Sequence, residues 1–379
     1  MTPPSRRAVA AVGDAADPRC WSGIPYFFWQ AAREAGFATE AVRLDLGWAK
    51  WPRRVWGLRR AVTGRRPRGF QYSARFLDAA EARVPRELWA GEVVSFSQHF
   101  PRAATVRAAG GRISYYIDAT FAAITQGRGL ELDLPLDVAT EGRRLESENY
   151  ALAERVVAMA SWTAGSVVTD CEVPADKVFT VMPGANLELP PGWVPTMPAG
   201  RAGVDRPFVL GFVGKDWARK GLPLVCDVRD ILESMGWKSA VLAAGDAPPE
   251  LTRRKGVEFA GFLDKRDGTA GFVDFLARCD VGCLFSTREA LGISTLEFLR
   301  VGVPVAGYAI EGPADTLPAD AGFRFAPLES AAAVAARFDA YLRDEGEQVT
   351  FRRNAQQHSG RMTWQRCVEE FIQLWEAAK

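Results

Sequence analysis

Short apolar runs of strand length alternate with runs of helical period from one end of this chain to the other, and the alternation is broken once. Repeated strand, helix, strand units bury their apolar faces as a parallel sheet covered by helices, so this pattern constrains the fold more than composition does. "AVAAVGD" (8–14) reads as a buried strand, the loop "AADPRCWSGIP" leads into the helical run "YFFWQAAREAGF", and Gly36 closes it. "GEVVSFS" (91–97), "RISYYID" (112–118), "VVAMAS" and "KVFTVMPGAN" continue the series, with Ser161 placed to cap the helix "WTAGSVVTD". Residues 187–207, "LELPPGWVPTMPAGRAGVDRP", hold five prolines and three glycines with neither period, which sets a linker at 191–206. Beyond it the strands "FVLGFVG", "SAVLAAG", "VEFAGF", "VGCLF" and "VPVAGY" alternate with the helices "LPLVCDVRDILESMG", "GFVDFLARC" and "TLEFLRV". Two doubly wound α/β domains are expected, over 1–190 and 207–361, and 379 residues are too many for one ordinary core. In the last helix, "MTWQRCVEEFIQLWEAA", Trp364, Cys367, Val368, Phe371, Ile372 and Trp375 share one stripe that must dock somewhere.

Apolar content of 48% and charged content of 25% are those of a soluble globular protein. A net charge of +1 gives no global attraction to nucleic acid or membrane. Of the six cysteines only Cys279 and Cys283 are close, on one face of "CDVGCLF", which suggests buried thiols in a reducing compartment. With His99 and His358 the only histidines, a histidine-rich zinc site is excluded. "AVAAV" is too short for a signal peptide core, and no uninterrupted apolar span approaches roughly 18 residues, so a cytoplasmic protein is expected.

The chemistry gathers in "STREALGISTLE" (286–297), at the carboxyl end of strand "VGCLF", the edge where open α/β sheets bind ligands. A helix beginning near Ser294 turns its first free N–H groups, from about Gly292 to Thr295, and the positive end of its dipole toward an anion. Glu289 lies before that anion and Glu297 in the first helical turn, so a ligand with a sugar on either side of a diphosphate meets one carboxylate at each end. Glu297 also reads as the end of an S-x-x-E capping box, and Glu289 as a solvated loop acid. "GFVGKDWARKG" (211–221) places Lys215 and Lys220 in a loop at the same sheet edge, able to neutralise a diphosphate leaving group or simply forming a basic turn.

Together these motifs resemble those of retaining glycosyltransferases of the GT-B fold, family 4 (glycosyltransferase group 1). "EALGISTLE" is similar to the family's E-x7-E signature, "GKDWARKG" to its donor loop and "CDVGCLFST" to one of its strands. "SWTAGSVVTDCEVPADKVFTVMPGAN" is similar to its interdomain segment, and "CWSGIPYFFWQAA" more loosely to its N-terminal glycine loop. The resemblance implies two Rossmann-like domains facing a central cleft, with the C-terminal helix 362–379 crossing back to the acceptor-binding first domain. It implies that Glu289 holds the transferred sugar, Glu297 the nucleotide ribose, and Lys215 and Lys220 the diphosphate, aided by Gly292, Ile293 and Ser294. Phe262 would lie beside the base, and Gly23 would let the N-terminal loop approach the phosphates. Where the family carries a strand-end histidine, this chain offers Asp118 or, one strand earlier, His99; the first reads also as a helix cap and the second as a buried loop histidine. The leaving phosphate itself can take the acceptor proton. The donor is then a nucleotide sugar, and neither cofactor nor metal is expected, because the lysines and the helix terminus occupy a cation's role.

"WAKWPRRVWGLRRAVTGRRPRGF" (48–70) holds eight Lys or Arg and no acid, interleaved with Trp48, Trp51 and Trp56; without these eight, a net charge of +1 becomes about −7. Such a stretch can lie on an anionic membrane at its cytoplasmic face, and a lipid-linked acceptor would follow. It also reads as an ordinary basic loop or a clamp for an acidic glycan. The remaining alternatives are a GT-B epimerase or phosphorylase, against which the paired motifs argue, and a nucleic-acid-binding module using 48–70, which leaves the second domain without a role.

Overall fold

The computed structural model describes residues 6–125, 133–196, 199–266 and 268–377, so Met197 and Pro198 of the expected linker lie outside the described residues. The chain forms two units: Met1–Pro183 with Cys367–Lys379, and Gly184–Arg366. The division thus falls at Pro183, and the proline-rich run belongs to the second unit.

The first unit is built on six parallel strands, β1 Arg7–Ala10, β2 Glu40–Ala41, β3 Glu92–Ser95, β4 Arg112–Ile117, β5 Arg155–Ala158 and β6 Val178–Thr180, in the order β2-β1-β3-β4-β5-β6. The residues of the four inner strands β1, β3, β4 and β5 are mostly buried because helices cover both faces, which is why they read as continuous apolar runs. Tyr115 and Tyr116 on β4 point to opposite faces, and each buried hydroxyl donates to a carbonyl, Pro101 O at 2.9 Å and Val181 O at 2.8 Å. The terminal helix Trp364–Glu376 supplies Phe371, whose ring lies 5.0 Å from Phe28 and 4.8 Å from Tyr116, and Trp375, 5.4 Å from Phe37. Its apolar stripe therefore completes the core of the unit in which the chain begins. Ser161 is the first residue of the helix Ser161–Thr169 rather than its cap, which is Ala160. The basic stretch after β2 is ordered as the helix Lys50–Val62, despite Pro52 and Gly57.

The second unit has the strands β7 Phe208–Gly214, β8 Ser239–Gly245, β9 Val257–Phe259, β10 Val281–Leu284, β11 Val305–Tyr308 and β12 Gly322–Phe325, all parallel, in the order β12-β11-β10-β7-β8-β9. The strand order reverses between β7 and β10. Gly282 on β10 is required there, since a Cβ would lie 2.2 Å from the Phe298 ring. That close approach seats the helix Ile293–Arg300 on the sheet and sets where its first turn lies. Among the described residues no helix is long and apolar enough to cross a membrane.

Candidate functional site

Ligands of open parallel sheets sit outside the carboxyl ends of the strands where the order reverses. In the second unit the loops leaving that point are 215–221, after β7, and 285–292, after β10. Their backbones are joined, Thr287 N–H donating to Arg219 O at 3.0 Å, and the Arg219 guanidinium reaches Arg288 O at 2.5 Å. Glu289 is buried between them. Its Oε2 accepts from Ser286 Oγ at 3.0 Å and Arg219 Nη1 at 3.2 Å, and Lys220 Nζ stands 3.5 Å away. Burial, the largest influence, disfavours the charged form, yet Lys220, Arg219 and the Ser286 hydroxyl outweigh it and hold this carboxyl below the usual glutamate value. The backbone is pinned as well: Glu289 N–H donates to Glu311 at 2.7 Å, and Gly312 N–H to Glu289 O at 3.3 Å. The result is an ionised carboxylate of fixed orientation whose cations face the same sheet edge.

The next helix begins at Ile293, with Gly292 as its N-cap in the left-handed conformation (φ 79°). Ile293 and Ser294 are thus its first two residues, and their N–H groups belong to the turn that has no intrahelical acceptors. The capping-box reading of Glu297 fails here, because Ser294 lies inside the helix and no side chain caps it. Glu297, also buried, is bound instead by Lys265 Nζ at 2.5 Å. Lys265 in turn donates to Asn186 O at 2.9 Å and lies 4.1 Å over the Phe272 ring, so this charge is compensated by a held cation. Lys215 follows β7 directly and stands 4.6 Å over the ring of Phe262, which is 57% exposed, an aromatic face left open to solvent.

The first unit places its three expected residues on loops at the carboxyl edge of its own sheet. Gly23 (φ 89°) caps the helix Ile24–Glu34, and the preceding Trp21 and Ser22 also have positive φ, an uncommon run of three. His99 is buried between Tyr72 and Phe121, its Nε2 2.9 Å from Gly142 O. Burial, partly opposed by that hydrogen bond, lowers its pKa to about 4, so the ring is neutral at pH 7. Asp118, half-buried, directly follows β4, its carbonyl accepting from Thr163 Oγ at 2.5 Å. The helix Phe121–Thr125 that follows draws its N-terminal acceptors from elsewhere: Glu146 takes Phe121 N–H at 2.6 Å and Ala122 N–H at 3.0 Å, and Thr120 Oγ takes Ala123 N–H at 2.9 Å.

Residues 204–358, which contain all of the second-unit geometry above except Asn186, match the family model described as glycosyl transferases group 1. Over these residues the chain is similar to a group 1 glycosyltransferase domain. It is 31% identical over 197 residues to the 2-deoxystreptamine N-acetyl-D-glucosaminyltransferase of Streptomyces fradiae, covering 45% of this chain and 43% of that protein. It is 25% identical over 262 residues to the D-inositol 3-phosphate glycosyltransferase of Kribbella flavida, covering 64% and 61%. The chain therefore spans about two fifths to three fifths of these relatives. Among solved structures it superposes on the sucrose-phosphate synthase of Thermosynechococcus elongatus with a TM-score of 0.68 at 15% identity, over 98% of this chain and 99% of that one. Anabaena HepE in complex with UDP and glucose gives 0.63 at 13% identity, over 98% of each chain. The fold is GT-B, with two Rossmann-like domains.

Within residues 204–358, Glu289 and Lys220 meet directly, whereas Glu297 and Lys215 each keep a different partner. Sequence reasoning missed Arg219, Ser286, Glu311 and Lys265. Arg219 and Ser286 stand inside motifs already quoted, so the arginine beside Lys220 was a signal left unused. Lys265 stands 32 residues from Glu297 with no local pattern to connect them.

Proposed function

We propose that the protein is a metal-independent, anomer-retaining glycosyltransferase using a nucleoside-diphosphate sugar as donor. The observation that carries this reading is Glu289, a buried carboxylate kept ionised by Lys220 and Arg219 where the strand order reverses in a group 1 domain. In the proposed step the bond from the anomeric carbon to the diphosphate oxygen breaks, and an acceptor hydroxyl bonds to that carbon from the same face. Its proton passes to the leaving phosphate. Lys215, Lys220 and the N–H groups of Gly292, Ile293 and Ser294 take the charge that develops on the diphosphate, so the reaction needs neither metal nor cofactor. Glu289 orients the transferred sugar and faces the positive charge growing at its anomeric carbon. Glu297, held by Lys265, accepts from the ribose hydroxyls, and the open face of Phe262 takes the base.

Gly23 lets the first-domain loop come close to the phosphates. Of the first-domain groups, Asp118, which follows β4 at the carboxyl edge of its sheet, is assigned the contact with the donor sugar. His99, neutral and hydrogen-bonded to Gly142, is assigned the support of that loop. Complexes of Anabaena HepE with UDP and with UDP-glucose favour a uridine donor. The acceptor is assigned as a glycan or lipid-linked hydroxyl. The names of two relatives, which refer to 2-deoxystreptamine and inositol 3-phosphate, favour a cyclitol hydroxyl as a second reading.

Calorimetry with UDP, GDP, ADP, CMP and TDP on wild type, Glu297→Ala and Glu289→Gln tests the donor assignment. One nucleotide is expected to saturate the wild type and to bind Glu297→Ala about tenfold or more weakly, the loss of hydrogen bonds to a charged group. Glu289→Gln should keep that nucleotide and lose sugar transfer by about a hundredfold or more. Failure of every nucleotide to bind at millimolar concentration would sink the reading.

A further inference from the structure

The helix Lys50–Val62 is amphipathic twice over. Its inner face carries Trp56, 5.7 Å from Phe70, and Arg60, which lies over the Trp56 ring at 4.9 Å and pairs with Asp137 at 2.8 Å. Trp48, stacked on Phe76 at 5.6 Å, anchors the turn before it. These contacts fix the helix to the first unit. Its outer face then repeats an apolar pattern that the fold does not use: Trp51, Val55, Leu58 and Val62, at spacings of four, three and four, fall on one stripe. Trp51 is 71%, Leu58 68% and Val62 79% exposed, and they are three of the eleven large apolar side chains exposed among the described residues. A single exposed leucine needs no explanation, but three aligned on one helix do.

Charge brackets the stripe. Of the eight basic residues in 48–70, four are ion-paired within the unit, Arg60 and Arg65 sharing Asp137, and Arg66 and Arg68 sharing Asp133. The other four, Lys50, Arg53, Arg54 and Arg59, lie on the helix itself, are exposed and have no ion-pair partner among the described residues. Arg54 and Lys50 flank the stripe on one side and Arg59 on the other.

We propose that this helix is a peripheral membrane-binding element, with Trp51, Leu58 and Val62 inserted at the headgroup boundary and Lys50, Arg54 and Arg59 against anionic lipid. An acidic polysaccharide would use the charges but leave the apolar stripe in water. A second copy docking stripe to stripe would set Arg54 and Arg59 against their counterparts, and a 13-residue helix about 20 Å long offers little of the roughly 1,200 Å² that a stable interface buries. An anionic bilayer satisfies both features at once, with apolar side chains in the acyl boundary and cations at the negative surface. The helix leaves the carboxyl side of β2, at the edge of the sheet that carries Gly23 and His99, so lipid binding here would favour a lipid-linked acceptor.

The test is flotation of the full chain with vesicles of phosphatidylcholine, with and without phosphatidylglycerol. Wild type is expected to float only with the anionic vesicles and to be released by salt. The variant Trp51→Ser, Leu58→Ser, Val62→Ser should lose partitioning about tenfold or more, and Arg54→Glu with Arg59→Glu by a similar factor. Both should keep the wild-type melting temperature within a degree or so, since these side chains are largely exposed. Absence of flotation, or equal flotation without anionic lipid, overturns the proposal. So does binding of the wild type to a soluble polyanion without binding to vesicles of either composition, or a dimer in sedimentation velocity that the serine variant abolishes. Nucleotide binding is measured on the same samples, so failure of the donor assignment and failure of lipid binding are read apart.

Discussion

Glu289 keeps its charge against burial because two cations and a hydroxyl surround one of its oxygens. Removing Lys220 as Lys220→Met leaves burial with less opposition, so the carboxyl's pKa rises. The acidic limb of the kcat profile should then move to higher pH by about one unit or more, beyond any fall in the plateau; a fall with no shift would mean that Lys220 acts on the donor alone. His99 gives a stability prediction of definite sign. Its folded value of about 4 lies below the ordinary value, so its contribution is complete above pH 6.5 and disappears as pH falls through 4. Denaturant titrations of wild type and His99→Gln at pH 7 and pH 4 should differ in their pH dependence by about 3 kcal/mol, with the variant less sensitive to acid. At this scale the sequence exposed Glu289 and Lys220 because each belongs to a short motif. It hid the partners that settle their charge: Arg219 meets Glu289 across 70 residues and Lys265 meets Glu297 across 32.

Strands and helices were legible because both faces of each sheet are covered, which turns strands into apolar runs and helices into periodic ones. Boundaries were less so. The helix after β10 starts at Ile293 because Gly292, not Ser294, makes the left-handed turn into it, and that shift of register separates Glu297 from a cap. Strand order is carried by long-range pairing, and no local pattern encodes it. The seat of this helix gives the prediction proper to the element. Gly282→Ala puts a methyl 2.2 Å from the Phe298 ring, so the helix must move or the strand must bend, at a cost of about 1–3 kcal/mol. Because the displaced turn carries Ile293 and Ser294, nucleotide affinity should fall more than the rate from bound donor, which calorimetry and single-turnover transfer would separate. Equal losses in both would argue that the whole unit had loosened.

The chain crosses between its two units twice, leaving the first at Pro183 and returning at Cys367, so its last residues complete the unit formed by its first. That is a consequence of packing as much as of topology. Phe371 is fully buried with Phe28, Phe37 and Tyr116 around it at 5.0, 6.0 and 4.8 Å, and Trp375 stacks on it at 5.4 Å. Phe371→Ala should therefore destabilise the first unit by about 3–5 kcal/mol although it lies near the end of the chain. The donor residues assigned on the loops after β7 and β10 and on the helix Ile293–Arg300 belong to the second unit, so nucleotide acts there by mass action, adding about 2.7 kcal/mol at a hundred times its dissociation constant. Scanning calorimetry of Phe371→Ala should show a transition lowered by the substitution and unmoved by nucleotide, and another raised by nucleotide and unmoved by the substitution. A single transition answering to both would mean that the units unfold as one, and the returning helix would then stabilise the donor half as much as the half whose core it fills.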